Sequence, residues 1–278
     1  MLTNYHTHTR FSDGKGEPEA FVQQALKLGF DALGFSEHSP LPFDNTFALK
    51  AEELEEYTAT IRSLGEAYAP VIKIFLSMEL DFIPGLTTDF SELKMKCGLD
   101  YTIGSVHLVV SPGGDLWFID GPVPEIYDDG LIYLFDNDIR KAVTNYYRQI
   151  NLMIESQNPD IIGHLDKIKM HNRERFFKED ESWYKALVSE TLNLISQKGT
   201  IVEVNTRGIY KKRSATTYPG IEILKQLKTL RIPVAISSDA HQAHELNGAF
   251  TETHKLLNEA GISETVFFDG KNWKQTNL

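Results

Sequence analysis

The chain has 278 residues, 41% of them hydrophobic and 24% charged, the balance of a water-soluble folded protein with a sizeable core. A net charge of −11 argues against nonspecific binding to nucleic acid or an anionic membrane surface. One cysteine, Cys97, excludes an internal disulfide framework; it reads as a small buried hydrophobe in a reducing compartment.

Met1-Leu2 runs straight into polar residues, so no leader peptide is expected, and no apolar run approaches the length of a membrane span. A cytoplasmic location is the expectation. Strand-like runs fall at 2–6, 31–36, 71–80, 101–106, 160–165, 200–205 and 233–238. Amphipathic helical stretches separate them: EPEAFVQQALKLG, EELEEYTATIRSLGEAY, DIRKAVTNYYRQINLMIESQ, WYKALVSETLNLISQKG, PGIEILKQLKTL and AHELNGAFTETHKLLNEAG. Alternation of this kind implies βαβ units and a parallel sheet, and seven units favour an α/β barrel in one domain over 1–278. A Gly-, Pro- and aromatic-rich stretch at about 109–135 breaks the alternation and reads as a long loop insertion. Its Trp117, Phe118 and Asp120 are candidates to close over a ligand.

The placement of the histidines carries the chemistry. His6 and His8, two apart, share a face at the end of the first strand, and Asp13 follows on the next loop. His38 follows strand two, Glu79 ends strand three, His107 follows strand four and His164 ends strand five. Asn205 and Arg207 follow strand six, and Asp239 and His241 follow strand seven. In a parallel barrel these ends converge on one rim, so six imidazoles and three carboxylates meet there. That donor set suits first-row divalent ions such as Zn, Fe or Mn, and nine ligands are enough for two or three of them.

The ordered set YHTHTRFSDG, GFSEHSP, SMELDF, IGSVH, IIGHLDKI, VEVNTRG and SSDAH resembles the PHP (polymerase and histidinol phosphatase) superfamily across residues 5 to 241. The resemblance implies a distorted (β/α)7 TIM-like barrel with three divalent ions at the C-terminal rim of the strands. It implies one ion on His6, His8, Glu79 and Asp239, a second on Glu79, His107 and His164, and a third on Asp13, His38 and His241. Aspartate at position 13, the chain length and the absence of an attached polymerase resemble the monofunctional histidinol-phosphatase branch, which hydrolyses L-histidinol phosphate. A metal-bridging hydroxide would attack phosphorus, with Asp239 and His241 at the reacting centre.

That branch often reads NTxGLRK after strand six, where this chain has NTRGIYKKRS. Arg207, Lys211, Lys212 and Arg213 are therefore the candidates for phosphate contact, with Ser105 as a further donor and His244 as a candidate acid for the leaving group. Glu37 and Asp166, beside His38 and His164, are expected to orient those imidazoles. His171 and His254 read as structural or exposed. The expected partner is a small phosphate ester, with no nucleic acid and no membrane. The alternatives are a PHP phosphoesterase acting on nucleotides or other esters, an amidohydrolase-type hydrolase, and a binding module without catalysis.

Overall fold

Strand segments alternate with helices along most of the chain because apolar residues recur at period two and then at period 3.6. The computed structural model describes residues 1–278. Its strands are β1 (Thr3–Asn4), β2 (Ala32–His38), β3 (Lys73–Asp81), β4 (Ile103–Ser105), β5 (Leu108–Val110), β6 (Leu116–Phe118), β7 (Ile161–Ile162), β8 (Ile201–Asn205), β9 (Val234–Ser237), β10 (Glu264–Phe268) and β11 (Trp273–Asn277). Seven form one parallel sheet in the order β1-β2-β3-β4-β7-β8-β9. Its edges meet just past β1 and β9, where Thr7 bridges Ala240 and the His8 N–H donates to the Ala240 carbonyl at 2.8 Å. The result is a nearly closed (β/α)7 barrel. No helix is long and apolar enough to cross a membrane.

Alternation within each strand divides the barrel into an outside and an inside. Ile74, Leu76, Met78 and Leu80 of β3, Val202 and Val204 of β8, and Val234 and Ile236 of β9 face outward into one cluster with the surrounding helices. Ala32, Phe75, Ile103, Ile161, Ile201 and Ala235, at the strand beginnings, face inward into a second cluster with Tyr5 and Tyr101. Further up each strand the inward positions become small or polar, as in Phe75, Ser77, Glu79 and Asp81 of β3. The upper rim is thereby left for charged groups.

The antiparallel hairpin β10–β11, which the strand pattern did not announce, seals the lower mouth. Val266 and Phe268 join the inner cluster, Trp273 packs edge-on against Tyr5 with ring centroids 5.1 Å apart, and the Phe268 N–H donates to Tyr5 Oη at 2.9 Å. The 109–135 stretch is not a plain loop. It holds the rest of the β5–β6 hairpin and a helix over Pro124–Phe135, whose proline sits in the first turn where its missing N–H costs nothing. The long helix expected after 243 is split into a short turn at Ala243–Glu245 and a helix at Phe250–Glu259. Cys97 is half-buried at a helix end rather than buried.

The lower plug makes a specific prediction. Truncating Phe268 to alanine should lower the unfolding free energy by about 3–5 kcal/mol, read by urea denaturation. The catalytic constants of the folded protein should not change, because the plug lies at the opposite end of the barrel from the rim. An unchanged urea midpoint would show that the hairpin does not support the barrel.

Candidate metal centre

Glu79 stands in the middle of the rim with its side chain almost entirely buried. Its Oε2 faces His6 Nε2 at 3.1 Å, His38 Nδ1 at 3.1 Å and His8 Nε2 at 3.5 Å. Its Oε1 faces His164 Nε2 at 2.8 Å and His107 Nε2 at 3.4 Å, and accepts a hydrogen bond from Ser105 Oγ at 2.6 Å. The two oxygens thus address two sets of imidazoles. His8 Nε2 also lies 3.4 Å from Asp239 Oδ1, and His241 Nε2 lies 3.1 Å from Asp13, whose side chain is the most exposed of the set. His38 Nε2 is 3.8 Å from Asp13. All nine rim residues come together, but the groups overlap. Donor atoms that could share an ion occur in His8, Asp13, His38 and His241, in His6, His8 and Glu79, and in His38, Glu79 and His107. His8 and His38 each stand between two groups.

Carboxylates behind the imidazoles fix two of the rings. His6 Nδ1 lies 2.6 Å from Glu203 Oε1, and His107 Nδ1 lies 2.6 Å from Asp81 Oδ1, which turns each Nε2 toward Glu79. Sequence reasoning missed both acids. Their signal was position: Glu203 lies two before Asn205 and Asp81 two after Glu79, on the same inward faces. The expected orienting pair acts elsewhere. Glu37 accepts from the Thr9 N–H and Oγ1 and from Ser12, shaping the loop that carries Asp13. Asp166 pairs with Lys169 at 2.7 Å and accepts from the Gly220 N–H at 2.9 Å.

The donor set fits divalent cations. His6 Nε2, His8 Nε2 and His38 Nδ1 are buried without a hydrogen-bond partner, and all three point at one carboxylate oxygen. A buried polar atom left unpaired is costly, and cations held in the groups His6, His8 and Glu79 and His8, Asp13, His38 and His241 would satisfy all three. Burial opposes charge on His6 and His107, yet Glu203, Glu79 and Asp239 raise His6 well above the ordinary imidazole value. Asp81, Asp120 and Glu79 push His107 up to about 10. Burial would raise Glu79 and Asp239 too. Facing His6, His107 and His38 in one case and Arg207 and His6 in the other, both stay well below the usual carboxylate range. Burial and neighbouring cationic groups act the other way on His8, His164 and His241, which lie below the ordinary imidazole value.

A cleft of about 240 Å³ opens over these groups, and Thr46, Phe47, Phe118, Asp120, Lys167, Arg207 and Arg213 complete its wall. Arg207 Nη1 donates to the Asp239 carbonyl at 2.5 Å and lies 2.6 Å from His241 Nδ1. Lys167 Nζ, buried, stands 3.5 Å from Asp120 Oδ2 and 3.8 Å from Asp239 Oδ2. The rings of Phe47 and Phe118 stack at the mouth, 5.4 Å apart.

Residues 4–207 match the PHP domain family. The chain belongs to the PHP family. Among relatives with assigned names, it is 29% identical over 270 residues to the "probable histidinol-phosphatase" of Deinococcus radiodurans, covering 96% of each chain. It is 27% identical to the histidinol-phosphatase of Bacillus subtilis, covering 88% of this chain and 95% of that one. Among solved structures it superposes with a TM-score of 0.71 and 22% identity on histidinol phosphate phosphatase from Lactococcus lactis, complexed with Zn, L-histidinol and phosphate. That match covers 98% of each chain.

Within this PHP rim four of the residues expected to touch substrate lie elsewhere, among them Lys212, which is exposed away from the cleft. Ser105 is turned down onto Glu79, a contact that Gly163 permits, since a Cβ there would lie 2.2 Å from Ser105 Oγ. Lys211 is tied to Glu245 and does not line the cleft. His244 is exposed on the turn beyond His241. Lys167, overlooked in the sequence, occupies the wall instead. His171 is structural, as expected, with Nε2 2.9 Å from the Gly121 carbonyl.

Protein stripped with EDTA should gain stability when Zn2+ or Mn2+ is restored, by about 2.7 kcal/mol at a free ion concentration 100 times the dissociation constant. Glu79→Gln should abolish most of that gain. Urea unfolding with and without metal reads both effects. An equal gain in the variant would remove Glu79 from the centre.

Proposed function

We propose that this chain is a metal-dependent phosphatase that hydrolyses L-histidinol phosphate to L-histidinol and phosphate, in histidine biosynthesis. One observation carries the reading: a buried carboxylate, Glu79, presents each of its oxygens to a separate set of imidazoles beneath a cationic cleft. Relatives named for this activity match over nearly their whole length. Three divalent ions, of Zn, Fe or Mn, would be held by His6, His8, Glu79 and Asp239, by Glu79, His107 and His164, and by Asp13, His38 and His241. Such ions supply Lewis acidity at a phosphoryl oxygen and make water more acidic.

The protein groups account for the rest of the recognition. Arg207, Lys167 and Arg213 bring positive charge to the cleft of a chain whose net charge is −11, so a phosphate dianion is drawn to this spot and not to the general surface. Arg207 borders Asp239 and His241 and is placed to stabilise charge on phosphoryl oxygens. Asp120 Oδ1 is buried in the cleft wall beside Lys167 without a partner, an acceptor for a substrate ammonium. Phe47 and Phe118 offer flat faces to an imidazole. A cationic patch, a carboxylate oxygen without a partner and aromatic rings in one cleft match the phosphate, ammonium and imidazole of histidinol phosphate.

Phosphate release by purified protein tests this, with L-histidinol phosphate, a nucleoside monophosphate and an aryl phosphate side by side. Turnover of histidinol phosphate should be fastest, abolished by chelator and lost in His107→Ala. Asp120→Asn should raise KM for histidinol phosphate about tenfold, as expected for one lost charged hydrogen bond, and leave the aryl ester nearly unchanged. Faster turnover of the nucleotide would discard the histidinol phosphate assignment, and chelator-insensitive turnover would discard the metal mechanism.

A further inference from the structure

Strand β8 is the one barrel strand whose end supplies none of the nine proposed ligands. It carries Glu203 instead, fully buried behind the His6 ring. Glu203 Oε1 lies 2.6 Å from His6 Nδ1. Its Oε2 accepts from the His164 backbone N–H at 2.8 Å and from Asn205 Nδ2 at 3.1 Å, and that same amide reaches Asp239 Oδ2 at 3.1 Å. No lysine or arginine pairs with Glu203; His6 is its only ionic partner. A buried carboxylate without a fixed cation is expensive unless a nearby charge compensates it.

We propose that Glu203 is a positioning residue that couples the two sides of the centre. It holds the His6 ring with Nε2 turned to Glu79 Oε2 and sets the backbone of His164 on the Oε1 side. Through Asn205 it also steadies Asp239. The inference rests on the metal-centre reading above and adds a residue that touches neither ion nor substrate. Asp81 makes the useful contrast, because its hydrogen bond goes to the ring of His107 alone.

Glutamine at position 203 keeps the size of the side chain but cannot meet all three demands. If its oxygen faces His6, its NH2 group meets the His164 N–H and the Asn205 amide, donor against donor. If its NH2 faces His6, Nδ1 must accept, and the ring proton moves to Nε2, where it blocks a metal. Either way the disturbance reaches both sides, whereas glutamate serves both. The first orientation displaces His164 and, through Asn205, Asp239. The second takes His6 from an ion that would share Glu79 with the other.

The test is metal content and affinity of Glu203→Gln, Asp81→Asn and wild type, by elemental analysis after dialysis and by competition with a chelating dye for Zn2+. Urea unfolding of the metal-free proteins runs in parallel. Glu203→Gln should bind zinc 10- to 100-fold more weakly in more than one equivalent, with metal-free stability close to wild type. Asp81→Asn should weaken a single class of ion. Zinc binding by Glu203→Gln equal to wild type would overturn the inference, and so would a loss that only tracks reduced metal-free stability. Wild-type protein that retains no zinc would overturn the metal-centre reading and this inference with it. If the variant does not fold, nitrogen-15 histidine spectra of zinc-loaded wild type decide the matter. A hydrogen-bonded proton on His6 Nδ1 supports the inference, and a bare or metal-bound Nδ1 overturns it.

Discussion

Everything at the rim is arranged around one buried negative charge. Glu79 is enclosed by the barrel, and every ionic partner it has is an imidazole. No lysine or arginine reaches it. Taking a carboxylate out of water costs several kcal/mol unless opposite charge lies beside it. Imidazoles can pay that cost by taking up protons or by holding metal ions, and orphaned nitrogens converging on Oε2 favour the ions. Ser105 and the bare backbone of Gly163 then fix the rotamer that sends one oxygen to each side.

The barrel supports that charge by a gradient along each strand. Inward residues run from apolar at the bottom through serine and glycine to histidine and carboxylate at the top, as in Ala32, Gly34, Ser36 and His38 of β2. Gly34 is needed because Tyr101 Oη would lie 1.9 Å from any Cβ there, and that hydroxyl bonds the Tyr5 carbonyl at 2.5 Å. The hairpin β10–β11 keeps water out from below. The acidic network above therefore sits over an apolar floor and faces the cleft. Asp239 itself adopts a left-handed backbone conformation, φ 52°, a strained geometry that aspartate tolerates better than most residues and that is often found where function requires it.

Much of this was legible in the sequence. The strand–helix alternation gave the parallel barrel, and placing histidines and carboxylates at successive strand ends brought the nine rim residues together. What stayed hidden has physical reasons. Strands β1 and β7 are only two residues long, too short for an alternation pattern to fix their limits. Glycine and proline in 109–135 masked a hairpin and a helix. Glu203 and Asp81 read as ordinary polar strand residues until the three-dimensional arrangement showed the imidazoles in front of them. Neighbours in sequence misled in the other direction. Glu37 and Asp166 lie beside His38 and His164 along the chain, but their side chains bond loop backbone at Thr9 and Gly220. Charge count alone could not tell Lys211, which is neutralised by Glu245, from Lys167, which faces the cleft.

The central claim is that Glu79 joins two metal positions through its two oxygens. Anomalous X-ray diffraction from crystals of the zinc-loaded protein, collected at the zinc edge, addresses it directly. The account predicts separate zinc peaks on the two sides of Glu79, one within about 2.1 Å of the His6 and His8 nitrogens and the other within the same distance of the His107 and His164 nitrogens. A single peak bound to one Glu79 oxygen, or zinc held only away from this carboxylate, would contradict it.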